Sequence, residues 1–237
     1  DFDTSQATDM SSMFEGCTAL PAVSIAGLNT QSVTNMQNMF KDCTALRSLT
    51  IAGINTASVK DMQGMFDGCS ALKTLDLTGI NTQRVTNMQS MFAGCAALTS
   101  LDLSGFDMRS VTAAKDMFAG CASLAKLTLP TLDVANVTDM SGVFSGCASL
   151  KNLDLTGATT TSATTMAHMF EGCAALTTLD LSNFDTANVT DMDSMFAGCA
   201  ALKTLNLSNF NTTNVTSMDS LFGDCEALTE VTLNTGF

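Results

Sequence analysis

The chain has no tryptophan and no tyrosine, two prolines and a single histidine, His168. Each gap narrows what the protein can do. Without Trp and Tyr, and with few Arg, it lacks the large anchors that dominate tight interface hot spots. With one His there is no histidine set to hold a zinc ion. Basic residues are scarce, with Lys and Arg totalling 10 against 23 Asp and Glu, for a net charge of -13. That balance excludes nucleic acid and anionic membrane surfaces as partners, because both need a basic patch. No run of 18 apolar residues occurs, so no membrane-inserted helix is expected. Residue 1 is Asp with no signal segment ahead of it, which reads as a mature or excised piece.

What is present is periodic. The nine cysteines, from Cys17 to Cys225, are each 26 residues apart, without insertion or deletion. One unit runs from Leu72 to Ala97, and its positions are numbered 1 to 26 from Leu72. Position 1 is always Leu, position 21 always Phe and position 24 always Cys. Positions 4 and 6 are Leu, Val or Ile, position 14 is usually Val, and positions 17 and 20 are usually Met. Fixed self-similarity of this length marks a solenoid, in which each unit buries its apolar side against its neighbours.

The L-x-x-L-x-L opening alternates like a strand. The segment that follows, V-T-N-M-Q-S-M-F-A-G-C in residues 85–95, places apolar residues at i, i+3 and i+4. That spacing predicts a short α or 3₁₀ segment, N-capped by Thr at position 15 and stopped by a left-handed Gly at position 23. Asp42 and Asp224 replace that Gly twice. The expected fold class is therefore α/β. It is a leucine-rich-repeat solenoid of nine 26-residue coils, with a parallel β-sheet on one face and short helical segments on the other. Residues 1–237 read as one such array, a fragment without dedicated caps. Ala114, at position 17, and Met108 and Val134, at position 11, break the pattern in the central coils, as do Ala158 and Ala163.

The string LDLSNFDTANVTDMDSMFAGCAAL, residues 179–202, and its eight relatives resemble the repeats of the BspA-like leucine-rich-repeat surface-protein family, in its 26-residue subtype. The likeness covers the whole chain. It implies a leucine-rich solenoid at the cell surface or outside the cell, associated with adhesion and host or matrix binding. It implies no catalytic residues.

The Cys row sits between invariant Phe and Leu, so free, buried thiols are expected, with inter-coil disulfides and metal binding as the alternatives. Fifteen of sixteen Met share positions 17 and 20 with the Phe face, which reads as core filling. The outward strand position 5 carries Asp76, Asp102, Asp154, Asp180 and Asn206, which form the candidate binding face for a protein or glycan partner. Two carboxylates per neighbouring pair are too few for a calcium site on their own. Asn or Asp at position 10 and Thr at position 11 read as turn-closing residues. His168 reads as a surface residue, and no nucleophile is placed with it. Asn136, Asn188, Asn206, Asn211 and Asn214 are glycosylation sequons, with Asn214 expected to be the most exposed.

Neither a metal site, a cofactor nor an enzyme activity is expected. The functional expectation is a non-enzymatic binding module. The alternative is a filament subunit or rigid spacer that self-associates end to end through open strand edges.

Overall fold

The computed structural model describes residues 3–235. It is a stack of 26-residue coils with a leucine-rich interior, as the repeat requires. Parallel strands pair between successive coils in three places. These are β1 (Ala22–Ser24) with β2 (Ser48–Thr50), β3 (Ser100–Asp102) with β4 (Lys126–Thr128), and β5 (Thr204–Leu207) with β6 (Glu230–Leu233). Each pairing joins residues one repeat apart, such as Leu101 with Leu127. The sheet face is thus a series of two-stranded patches.

The opposite face corrects the sequence reading, since among the described residues there is no helix. In the coil of residues 46–71, the N–H groups of Met65, Asp67 and Cys69 bond three residues back, to Met62, Gly64 and Phe66. The N–H groups between them leave the coil. Met62, Gly64, Phe66 and Gly68 donate to Asn87, Gln89, Met91 and Ala93 of the next coil, at 2.8–3.0 Å. A helix would keep all of these bonds within one segment. Here half are lent to the neighbouring coil, so the densest backbone ladder lies on the turn face.

Alternation of this kind needs left-handed residues at positions 19 and 23. Position 23 was foreseen, and Gly68 has φ 73° while Asp42 has 58°. Position 19 was not foreseen. It is occupied by Ser12, Asn38, Gly64, Asp116, His168 and their equivalents, all left-handed. Thr at position 15 is not a cap either. The side chain at position 16 accepts the N–H two residues on, as Asn87 Oδ1 does from Gln89 at 3.1 Å. Thr86 instead donates its hydroxyl to the Lys60 carbonyl at 3.2 Å.

Ladders of identical residues fill the interior. The Phe rings stack from Phe14 to Phe222, with neighbouring centroids 5.3–5.9 Å apart. The cysteines are free thiols, and those from Cys43 to Cys199 are buried. Each donates to the Phe carbonyl of the preceding coil, as Cys69 Sγ does to Phe40 at 3.2 Å. Burial pushes the Cys69, Cys121 and Cys173 thiols up to about 12. A protonated thiol suits this site, because it can both donate the bond and pack as an apolar group.

Candidate recognition face

Asp76, Asp102, Asp154, Asp180 and Asn206 are exposed at position 5 of their coils, Asp102 and Asn206 within strands β3 and β5, and Thr128 takes this position between Asp102 and Asp154. Each of the five closes a turn. Oδ1 accepts the backbone N–H two residues on, from Thr78, Ser104, Thr156, Ser182 and Ser208, at 2.9–3.0 Å. The Thr78 and Thr156 hydroxyls and N–H groups, and the N–H groups and hydroxyls of Ser104 and Ser182, hold the four Asp carboxyls below their ordinary value. The row is therefore ionised at neutral pH, and its orientation is set by backbone contacts. The sequence reading placed these side chains outward but missed their role in the turn.

Position 10 forms a second turn of the same type, as with Asn55 Oδ1 and the Ala57 N–H at 2.9 Å. Position 16 forms a third. All three corners carry an Asp or Asn turn in the coils beginning at Leu72 and Leu176, through Asp76, Asn81 and Asn87 and through Asp180, Asp185 and Asp191. In the other coils one or two of these corners hold Ser, Thr or Ala. Along position 16, Asp9, Asp61, Asp139 and Asp191 are always separated by a neutral residue. The Asn35 and Asn87 amides donate to Asp9 and Asp61 across that alternation, at 3.2 Å. Single-sequence reading could have found this row, but the helical assignment concealed it.

Between the coils beginning at Leu72 and Leu98 the recognition face deepens into a groove of about 500 Å³. Its walls include Asp76, Thr78, Gly79, Asn81, Asp102 and Gly105. Asp107, at one end, is paired with Arg109 and held down to about 2 by the guanidinium and by the Arg109 N–H.

The other sequence candidates lie elsewhere. His168 is exposed on the turn face, with Nδ1 2.9 Å from Glu171 Oε2. All five sequon asparagines are exposed. In three of them Nδ2, the atom a glycan would occupy, donates to a carbonyl of the preceding coil. These are Asn136 to Arg109, Asn188 to Thr161 and Asn214 to Ala187, at 2.8–3.1 Å. Among the described residues no group of three or more His, Cys, Asp or Glu is arranged to hold a metal ion. No helix in that range is long and apolar enough to cross a membrane.

Coil geometry and repeat length together define a leucine-rich-repeat solenoid with parallel strands. A leucine-rich repeat protein from Bacteroides ovatus has the same fold, at TM-score 0.58 and 21% identity, over 94% of this chain and 58% of that one. The chain thus spans a little over half the length of that relative. The Treponema pallidum leucine-rich repeat protein aligns at TM-score 0.48 and 22% identity, over 74% of each chain. No curated protein matches this chain. The chain belongs to the family described as "Mycoplasma protein of unknown function, DUF285", which matches residues 1–100, 43–157, 72–179 and 138–234. The leucine-rich repeat expected from the BspA-like resemblance is borne out by this match and by the fold.

Proposed function

We propose that the chain is a non-enzymatic surface or extracellular recognition module that presents its position-5 row to a protein or glycan partner. The observation that carries this is the row itself: exposed acceptors on the two coils of Asp76 and Asp102 and the three of Asp154, Asp180 and Asn206, with Thr128 between the groups, each fixed by a backbone N–H. A fixed acceptor row costs less ordering on binding than free side chains would. Contact would be shallow, polar and multivalent, gaining strength by repetition. The test is binding to an array of glycans and matrix proteins. The variant Asp76→Ser, Asp102→Ser, Asp154→Ser, Asp180→Ser should bind at least tenfold more weakly, and unchanged binding would overturn the reading. Asn211, whose Oδ1 rather than Nδ2 closes its turn and which lies outside the position-5 row, is the sequon best suited to carry a glycan.

A second reading is end-to-end assembly. Positions 17, 19, 21 and 23 donate to the following coil, as Met10, Ser12, Phe14 and Gly16 do to Asn35, Gln37, Met39 and Lys41. Stacking of two copies would extend this ladder, with the N–H groups of Met218, Ser220, Phe222 and Asp224 of one copy meeting the carbonyls of Asp9, Ser11, Met13 and Glu15 of the other. Light scattering across concentration, with electron microscopy of the same sample, separates the readings. Uniform rods support assembly, and a concentration-independent monomer removes it.

A further inference from the structure

The repeat contains its own model of a ligand. At the corner between the coils beginning at Leu176 and Leu202, position 8 is Asn209. Its amide Nδ2 sits over the preceding turn and donates to the carbonyls of Leu181 and Phe184 at 3.0 Å, and to Ser182 at 3.5 Å. At this corner three carbonyls thus surround a single N–H donor; Asn183, at position 8 one coil earlier, does not make these bonds.

In the groove between the coils beginning at Leu72 and Leu98, the equivalent carbonyls belong to Leu77, Thr78 and Ile80, all of which line it. The residue equivalent to Asn209 is Gly105, and a Cβ built there meets nothing within 4 Å. The donor is missing where the acceptors remain. Asp76 and Asp102 stand beside this site, as Asp180 and Asn206 stand beside Asn209. A carboxylate offers about four lone-pair sites. In Asp76 and Asp102 the turn N–H and the hydroxyl of Thr78 or Ser104 use part of that capacity, and the remainder faces an incoming donor.

Resting on the recognition-face reading, we propose that this groove is a subsite for a cationic N–H donor, the guanidinium of an arginine side chain on a protein partner. A guanidinium carries five donors in a planar fork, enough to serve both the carbonyl set and the two carboxylates. The charge beside the groove favours a cation over a neutral amide. Leu75, Leu77 and Ile80 supply apolar wall for the methylene stem.

The probe is N-acetyl-arginine methylamide, titrated into the ¹⁵N-labelled 1–237 chain and followed by amide shifts. Saturable shifts are expected at Thr78, Gly79, Gly105 and Phe106. The isosteric, uncharged citrulline analogue should bind at least tenfold more weakly. Gly105→Asn installs the donor found in the later coil. It should abolish the shifts and leave amides remote from the groove unmoved, which reports an intact fold. Asp76→Asn with Asp102→Asn should weaken the probe at least tenfold without filling the groove. Absent shifts, equal affinity of the citrulline analogue, or undiminished binding by Gly105→Asn would each overturn the proposal. The array experiment separates the two levels. Loss of array binding in the four-Ser variant with no probe binding removes the arginine subsite and leaves the recognition face standing. Probe binding to the groove alongside unchanged array binding does the reverse.

Discussion

The Thr30 hydroxyl stands in for a strand. It accepts the Asn55 N–H at 2.7 Å and donates to the Asn55 carbonyl at 2.9 Å, so one side chain satisfies both backbone groups of a residue in the next coil. Thr4, Thr56, Thr160 and Thr186 do the same, each buried.

Replacing such a hydroxyl by a methyl keeps the shape and strands two polar groups. Thr56→Val should therefore destabilise the array by about 2 kcal/mol, the cost of unpaired buried groups. Thr56→Ser, which keeps the oxygen, should lose far less. Urea unfolding measures the difference, and hydrogen exchange should show the loss centred on the Asn81 amide.

Where position 11 is Met108, its neighbour six residues on explains the substitution. Met108 and Ala114 line the same small apolar cavity. The methionine lost at position 17 is supplied from position 11 of the same coil. Ala114→Met alone should overpack this space and cost about 1–3 kcal/mol. Met108→Thr alone should leave a void and cost about 2–5 kcal/mol, the range for truncating a buried side chain. The double variant restores the common pattern and should be less destabilised than the sum of the two, by about 2 kcal/mol or more of coupling. Additive losses would mean that the two residues do not share the space.

The neutral residues between the acids of position 16 have an electrostatic role. Asn35→Asp would place three carboxylates on successive coils and remove the Asn35 amide bond to Asp9. The expected destabilisation at low salt is about 0.5–1 kcal/mol, typical of like charges directly opposed across strands. Raising salt should recover part of it, because Asp9 is exposed while positions 35 and 61 are half-buried and screened less. Thermal melts at two ionic strengths check this.

The thiol ladder gives an alkaline limit. Unfolded thiols ionise near 9.0, whereas Cys69, Cys121 and Cys173 in the fold do so only at about 12. Between these values the unfolded chain holds fewer protons, so stability falls as pH rises. The thiol contribution is complete below pH 9 and is lost towards pH 12. Denaturation midpoints across that interval should drop steadily in the native chain and less in Cys69→Ala. At neutral pH, a thiol reagent should label the exposed Cys17 quickly and the buried cysteines only on unfolding.

The coil was legible in the sequence because its ladders are strict: Leu72, Phe92 and Cys95 recur without a slip. The turn face was not. Met88, Met91 and Phe92 share a side in a helix, and they share it equally in a run of turns whose alternate N–H groups go to the next coil. The left-handed residue between them takes the forms Ser90, Asp116, Gly142 and His168, so no single residue type signals it. The recognition row was visible at Asp76 and Asp102, but the groove was not. It depends on Gly105 standing where a later coil has Asn209, a difference that acquires meaning only when the Asn209 amide is seen bonding three carbonyls.

Carboxyl footprinting tests the recognition face most directly. With the strongest binder from the glycan and matrix-protein array present, a water-soluble carbodiimide labels the exposed acids, and mass spectrometry reads each site. Protection should fall on Asp76, Asp102, Asp154 and Asp180, while the exposed Asp42 and Asp224 of the turn face label as in the free chain. Protection of Asp42 and Asp224, with the position-5 row unchanged, would place the partner on the opposite face and contradict the proposal.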